Sequence, residues 1–340
     1  MRYVICVESS HRRGMGHFFR GLNLAKALRS ESHKVAIVVN DDSASLEIIR
    51  KEEFDFEIIT FNDKTNWEYR LIEKYRPQWW INDRLDTTVS HAKKVCNSGI
   101  SLATFDDHGD GANFARYNFL AMDLLPEKKY LNGCYGPKYI ILSPQIKIYK
   151  KTIPNYALNL NILITLGGSD TYGVTPRVLT ALGSLVNDVS FTIIIGPNFE
   201  HHKELSFAIK NFGKKIKVYH SGPDLIKIMS RSDLIICGGG ITFFEAAALG
   251  LPALAIANEL HEIHIIEWFE VNGCSINLGF HKSKFEDRLL AEVMRLIENK
   301  DSLHKMSKKG MSLVDCKGLS RVLRLLRKTS EKRNGCSVQN

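Results

Sequence analysis

Apolar residues fall along this chain in short β-branched runs, separated by stretches of helical length whose apolar positions recur at three- and four-residue spacing. Runs at 3–7, 34–39, 56–60, 78–82, 101–105 and 138–142 read as strands of a first half. Runs at 160–165, 190–195, 216–219, 233–237, 253–256 and 274–277 read as strands of a second. Short apolar strands alternating with helices are the pattern of parallel sheets covered on both faces, because every crossover lays a helix on the sheet. The alternation therefore predicts two similar, doubly wound α/β halves. Between them, Lys150-Lys151-Thr152-Ile153-Pro154-Asn155 has the polar, proline-containing character of a linker. The expected organisation is residues 1–150, residues 151–316, and a C-terminal helix and tail over 317–340.

Glycine turns interrupt this pattern at strand ends. Gly14-Met15-Gly16-His17, with Arg20 one turn on, follows the first strand and opens a helix-like segment with Phe18, Leu22 and Ala25 on one face. Gly238-Gly239-Gly240-Ile241-Thr242-Phe243-Phe244-Glu245 follows the strand at 233–237, and Leu166-Gly167-Gly168-Ser169-Asp170 opens the second half in the same way. Strand, glycine turn, helix is an anion-binding arrangement: glycine lets the backbone approach closely, and the unpaired N–H groups lie at the positive end of the helix dipole. In open parallel sheets ligands sit outside the carboxyl ends of the strands, so the three turns are expected to converge on one cleft between the halves. Thr242 and Glu245, three apart, share a helical face. Gly168, Gly239, Gly240 and Thr242 could then hold a diphosphate, and the Glu245 carboxylate could accept both ribose hydroxyls. The plainer alternative is a turn that only reverses the chain, with Glu245 capping its own helix.

Charge and cysteine content narrow the function classes. The net charge is +9 over 340 residues, but residues 300–340 alone carry +8, so the excess belongs to the tail. There Leu319, Val322, Leu323 and Leu326 alternate with Arg321, Arg324 and Lys328 as an amphipathic helix. Such a helix either packs its apolar side on the body or makes weak peripheral contact with an anionic membrane surface. No aromatic-basic interleaving accompanies the charge, so nucleic acid is not an expected partner. Seven scattered cysteines without zinc spacing read as reduced, structural thiols, and no metal or cofactor is expected. No secretory pattern and no apolar run of roughly 20 residues is visible, which points to a cytoplasmic protein. A dinucleotide-dependent dehydrogenase fits poorly, since the first turn lacks the third glycine of that fingerprint.

Two resemblances sharpen the reading. The run from Ala246 to Ile256, with its Gly250-Leu251-Pro252 break, followed by Asn258-Glu259-Leu260-His261-Glu262, resembles the donor-nucleotide half of GT-B glycosyltransferases. In order along the chain, several further motifs resemble the UDP-sugar hydrolase of pseudaminic acid synthesis and its spore-coat polysaccharide relatives. They are Gly14-Met15-Gly16-His17 with Arg20, the stretch Asp83 to Asp86, Asp106-Asp107, the stretch Gly136 to Leu142, and Leu166 to Asp170. The resemblance implies a GT-B-like fold of two Rossmann-like, doubly wound domains facing a central cleft. It places the nucleotide-sugar, the expected small-molecule partner, with UDP on the second domain and the sugar facing the first. It implies that water displaces UDP from a 2,4-diacetamido-2,4,6-trideoxyhexose, with His17 as the catalytic residue that positions or deprotonates the water. Imidazole titrates near neutrality and can accept that proton.

Gly14, Gly16, Arg20, Asp83, His261 and Glu262 are the expected substrate contacts. Each side chain has a simpler alternative: a backbone-bonded helix start for His17, a surface salt bridge for Arg20, a helix cap for Asp83, and a solvated helix start for His261 and Glu262. The hydrolase pattern has Arg and Asp where this chain has Cys6 and Glu8, and Asn-Gln around His261-Glu262; His-Glu is closer to the His-Gln of glycosyltransferases. An inverting GT-B glycosyltransferase, with His17 deprotonating an acceptor hydroxyl, is therefore the rival reading. The basic tail leans toward it, because lipid-linked acceptors lie at an anionic membrane face. A non-catalytic nucleotide-sugar binding protein, or a partner subunit of a transferase, is the third.

Overall fold

The computed structural model describes residues 1–8, 15–62, 65–126, 129–150, 156, 159–185, 189–220 and 224–327. Gly14, the linker residues 151–155 and the tail residues 328–340 lie outside the described residues. The first half alternates β1 (Arg2–Val7), α1 (Gly16–Ser30), β2 (Lys34–Val39), α2 (Ser43–Lys51), β3 (Asp55–Ile58), α3 (Trp67–Tyr75), β4 (Trp79–Asp83), α4 (Val89–Asn97), β5 (Ser101–Phe105), β6 (Tyr117–Leu120) and β7 (Gly133–Tyr135). A short helix α5 (Ile146–Tyr149) precedes the second half. That half runs through β8 (Asn161–Thr165), α6 (Val174–Leu182), β9 (Ser190–Ile195), α7 (His202–Asn211), β10 (Ile216–His220), α8 (Leu225–Ser230), β11 (Leu234–Cys237), α9 (Ile241–Leu249), β12 (Ala253–Ala257), α10 (Leu260–Val271) and β13 (Ser275–Phe280). Helices α11 (Glu286–Glu298), α12 (Lys300–Leu313) and α13 (Gly318–Arg327) follow.

Two parallel sheets result, in the orders β3-β2-β1-β4-β5-β6-β7 and β10-β9-β8-β11-β12-β13. Side chains alternate across each strand, and both faces are apolar because both are covered. Tyr3, Ile5 and Val7 pack under α1 and α2, whereas Val4 and Cys6 pack under α3 and α4. In the second sheet Ile162 and Ile164 meet α6 and α7, while Leu163 faces α9. The strand order reverses between β1 and β4 and again between β8 and β11. Those are the points where chains leave in opposite directions and open a crevice at the carboxyl edge.

The expected strand at 138–142 does not form. Gly136 takes a left-handed φ of 88°, and Pro137, which has no N–H for a ladder, opens a 3₁₀ turn over Pro137–Tyr139. The stretch is instead a crossing between the halves: Ile141 is buried in the first core, and Ile140, Leu142 and Ile146 in the second. Strand β6 and the edge strand β7, four and three residues long and too short to stand out as apolar runs, take its place in the sheet. The chain crosses back at its end. Val322, Leu323 and Leu326 of α13 are buried in the first core, Arg321 donates to the Lys138 carbonyl at 2.9 Å, and Arg327 pairs with Glu31. The amphipathic helix thus packs its apolar side on the body. Among the described residues no helix is long and apolar enough to cross a membrane.

Candidate active site

Helix α1 starts at the carboxyl end of β1 with Met15 at its cap, no side-chain cap and no acidic residue in its first turn, so its leading amides have no local carboxylate partner. His17, its second residue, keeps 15% of its side chain exposed and places Nδ1 2.6 Å from Asp83 Oδ1. An ionised carboxylate can only accept, so the 2.6 Å contact favours the proton on Nδ1 and the lone pair on Nε2, with Arg20 Nη2, 3.1 Å from the same Nδ1, donating to Asp83 Oδ1 instead. Asp83 ends β4, directly beside Val7 of β1, so this pair stands at the reversal point of the first sheet.

Arg20, one turn along α1, is fully buried. Its Nε and Nη2 grip Asp83 Oδ2 and Oδ1 at 2.7 and 2.6 Å, and its Nη1 pairs with Asp106. Burial alone would raise Asp83, but the charges and hydrogen bonds of Arg20 and His17 hold its carboxyl below the usual range. Burial pulls the Arg20 guanidinium down, and the two carboxylates more than offset it, so the cation is locked in. Two expectations change here. Arg20 makes neither a diphosphate contact nor a surface salt bridge, since both edges of its guanidinium face buried carboxylates. Asp83 caps no helix: Thr88 caps α4 by accepting from the His91 amide, and Asp83 holds His17 and Arg20 instead. Asp106, in the left-handed region at φ 44°, also accepts from the Met122 amide at 2.9 Å. The doubled acid at 106–107 is its only sequence signal; Asp107 itself braces Thr87 and Gly109.

Across the cleft, Gly238, Gly239 and Gly240 link β11 to α9, whose first turn again has no side-chain cap and no acid. Glu245 does not cap this helix. Its carboxyl is buried, pushed up to about 7 by burial, and among the described residues accepts one backbone hydrogen bond, from Ser143 at 3.4 Å. A buried carboxyl with a single long bond retains acceptor capacity for a diol. Thr242, half-buried, lies one turn before it on the same face. Ser143 could not be found from sequence, because it contributes only its amide.

The three turns meet at the seam. A Cβ on Gly16 would stand 3.3 Å from Ile241 Cδ1, and one on Gly168 would stand 3.0 Å from Met15 Cγ. The amides that open α6 are taken by Asp170, which accepts from Val174 and Thr175 at 2.8 Å each, so the turn after β8 offers backbone at Gly168 rather than a helix end. His261 is exposed at the start of α10. Glu262, by contrast, is buried, accepts from the Asn258 amide at 2.8 Å, and lies along the glycine turn. In the first half a cavity of about 430 Å³ opens beyond β1, β3 and β4, lined by Glu8, Thr60, Phe61, Asn62, Arg84, Asp86 and Thr88. Its one aromatic wall, Phe61, lies 4.1 Å from the Arg84 guanidinium.

Comparison with known proteins bears on the fold that carries these residues. Residues 161–318 match the glycosyltransferase family 28 C-terminal domain. The chain is 32% identical over 278 residues to the uncharacterised protein MJ1062 of Methanocaldococcus jannaschii, covering 76% of this chain and 56% of that one. The chain therefore spans little more than half of that relative. It is 24% identical to the spore coat polysaccharide biosynthesis protein SpsG of Bacillus subtilis, over 96% of this chain and 98% of SpsG. Among solved structures, MurG of Acinetobacter baumannii superposes with a TM-score of 0.72 at 15% identity, covering 96% of this chain and all of MurG. The spinosyn rhamnosyltransferase SpnG, complexed with thymidine diphosphate, gives 0.67 at 14%, covering 96% of this chain and all of SpnG. The fold is accordingly that of the GT-B glycosyltransferases, two parallel-sheet α/β domains facing a cleft, and its second half matches the C-terminal domain of glycosyltransferase family 28.

Proposed function

We propose that this chain is an inverting glycosyltransferase of polysaccharide biosynthesis, which takes a nucleotide-diphosphate sugar and transfers the sugar to a hydroxyl of an acceptor held in the first half. The observation that carries this reading is the His17–Asp83 pair, 2.6 Å apart, on a helix start that abuts the glycine turn of the other half through Gly16 and Ile241. Asp83 fixes the ring and its tautomer, and Nε2 takes the acceptor proton as the acceptor oxygen attacks the anomeric carbon. The bond from that carbon to the diphosphate oxygen breaks, the configuration inverts, and the nucleoside diphosphate leaves with the electron pair. The backbone N–H groups from Gly240 into the first turn of α9, with the positive end of that helix and Thr242, receive the charge that develops there, and Gly239 lets the backbone approach closely. Glu245 accepts the ribose hydroxyls. The likeness to SpnG, solved with thymidine diphosphate, supports a nucleoside diphosphate as the ligand.

The same pair would serve water, giving the nucleotide-sugar hydrolase that the motif resemblance implies, with a UDP-linked diacetamido-trideoxyhexose as substrate. The cavity lined by Glu8, Arg84 and Asp86, which follow β1 and β4 in the chain, is polar with one aromatic wall, and its volume of about 430 Å³ supports an acceptor over water. The test is nucleotide release from a panel of UDP-, TDP- and CMP-sugars with and without glycan and lipid acceptors, run on the wild type and on His17→Ala. Release that requires an acceptor and falls roughly 10²- to 10⁴-fold in His17→Ala is the expected outcome. Equally fast release in buffer alone would identify the hydrolase, and nucleotide binding without turnover by any donor would overturn both.

A further inference from the structure

The second glycine turn already has a carboxyl group beside it. Glu262 projects from the first turn of α10 along Gly238, Gly239 and Gly240. A Cβ on Gly239 would stand 2.8 Å from Glu262 Cβ, one on Gly238 3.6 Å from Oε2, and one on Gly240 3.5 Å from Oε1. Glu262 therefore spans the same turn that is proposed to take the diphosphate, at the positive end of α9. Burial pushes its carboxyl up. The backbone N–H groups of Asn258, Gly239 and Glu259 and the neighbouring His261 offset that rise only in part, and Cys237 of β11 also faces it.

Resting on the donor-site reading above, we propose that Glu262 is a specificity-determining residue of that site, which disfavours the free nucleoside diphosphate and favours the diphosphate that carries a sugar. A nucleoside diphosphate at neutral pH holds more negative charge on its terminal phosphate than the same group esterified to a sugar. In its ionised form, the Glu262 carboxylate beside that phosphate repels the first more than the second. A sugar brings hydroxyl donors to the same carboxylate, which offsets part of its desolvation. The consequence is selection of donor over product in one pocket, and easier departure of the product after transfer.

The experiment is isothermal titration of UDP and UDP-N-acetylglucosamine at pH 8 into the wild type and Glu262→Gln. Glutamine keeps the side-chain shape and an acceptor for the Asn258 amide while removing the charge. The wild type should bind the sugar nucleotide at least as tightly as UDP. In Glu262→Gln, UDP should tighten about tenfold while the sugar nucleotide changes little, so that the preference collapses or reverses. A role confined to closing the first turn of α10 predicts an unchanged ratio of the two affinities, and that result would overturn the proposal while leaving the donor site intact. Failure of the wild type to bind these two nucleotides, and also TDP and a TDP-sugar titrated in the same way, would remove the donor site and this role together.

Discussion

Glu245 shows how one buried group couples stability to function. Its carboxyl rises from an ordinary value of 4.5 to about 7 because burial disfavours the charge. The folded state therefore binds the proton more tightly than the unfolded chain does. The associated stability is fully present below pH 4.5 and is lost as pH rises through 7. Glu245→Gln should raise the unfolding free energy at pH 8.5 by up to about 3 kcal/mol and leave it nearly unchanged at about pH 4.5, as read by urea denaturation at both values. The same variant should weaken nucleotide binding, since an amide accepts from only one of two ribose hydroxyls. A variant less stable at pH 8.5 than the wild type would show that Glu245 is ionised and paired in the folded protein. At this scale chemistry is easier to read from sequence than partnership. His17 and Glu245 stand out by their place after glycine turns, but the choice of Asp83 as partner to His17 needs β1 and β4 to be side by side.

At the scale of elements, helices α3 and α4 meet over a buried polar contact that the hydrophobic pattern gives no reason to expect. Glu68 and His91 are both fully buried, Glu68 Oε1 lies 3.0 Å from His91 Nδ1, and Lys94 reaches Oε2 at 3.2 Å. Trp67 stacks on the His91 ring at 5.3 Å. Burial would raise Glu68, but the hydrogen bonds from His91 and Lys94 hold it below the usual range. A lowered carboxyl contributes stability above its ordinary value and loses it as pH falls through its folded value. Glu68→Ala should cost about 3 kcal/mol or more at neutral pH, with a smaller difference from the wild type near pH 3, by chemical denaturation at each pH. The element pattern itself is largely legible, because β-branched runs buried on two faces have few alternatives. The stretch 138–142 misleads because apolar composition does not distinguish a strand from a crossing whose side chains are divided between two cores.

For the whole molecule, the two crossings matter most. Helix α13 returns to the first half and begins at Gly318, where a side chain would collide with the Ile140 carbonyl, so glycine lets the helix start against the outgoing segment. Val322, Leu323 and Leu326 then complete the first core. Removing the chain from residue 318 onward should strip roughly 5 kcal/mol or more of apolar burial from the first half, a large share of the stability of a typical domain. Limited proteolysis should show cleavage between residues 1 and 150 in the truncated protein and not in the full chain. Unchanged protection would mean that the first half is stable without its C-terminal cover. The same packing bears on the basic tail. With Val322, Leu323 and Leu326 occupied by the core, the exposed residues of α13 are Ser320, Arg324 and Arg327, so any membrane contact by this helix would be mainly electrostatic and sensitive to salt.

Local sequence is enough for the architecture and for the chemistry of the turns. Alternation of apolar runs sets strands and helices, and glycine before a helix exposes amides, both through interactions within a few residues. Pairings across the fold are decided only by tertiary structure: Arg20 turned inward to Asp83 and Asp106, Glu262 laid along the glycine turn, Glu245 beside Ser143, and α13 carried back to the first core. These depend on which strand ends become neighbours when the sheets form, and residues as far apart as Arg20 and Asp83, 63 positions, carry no local mark of that choice.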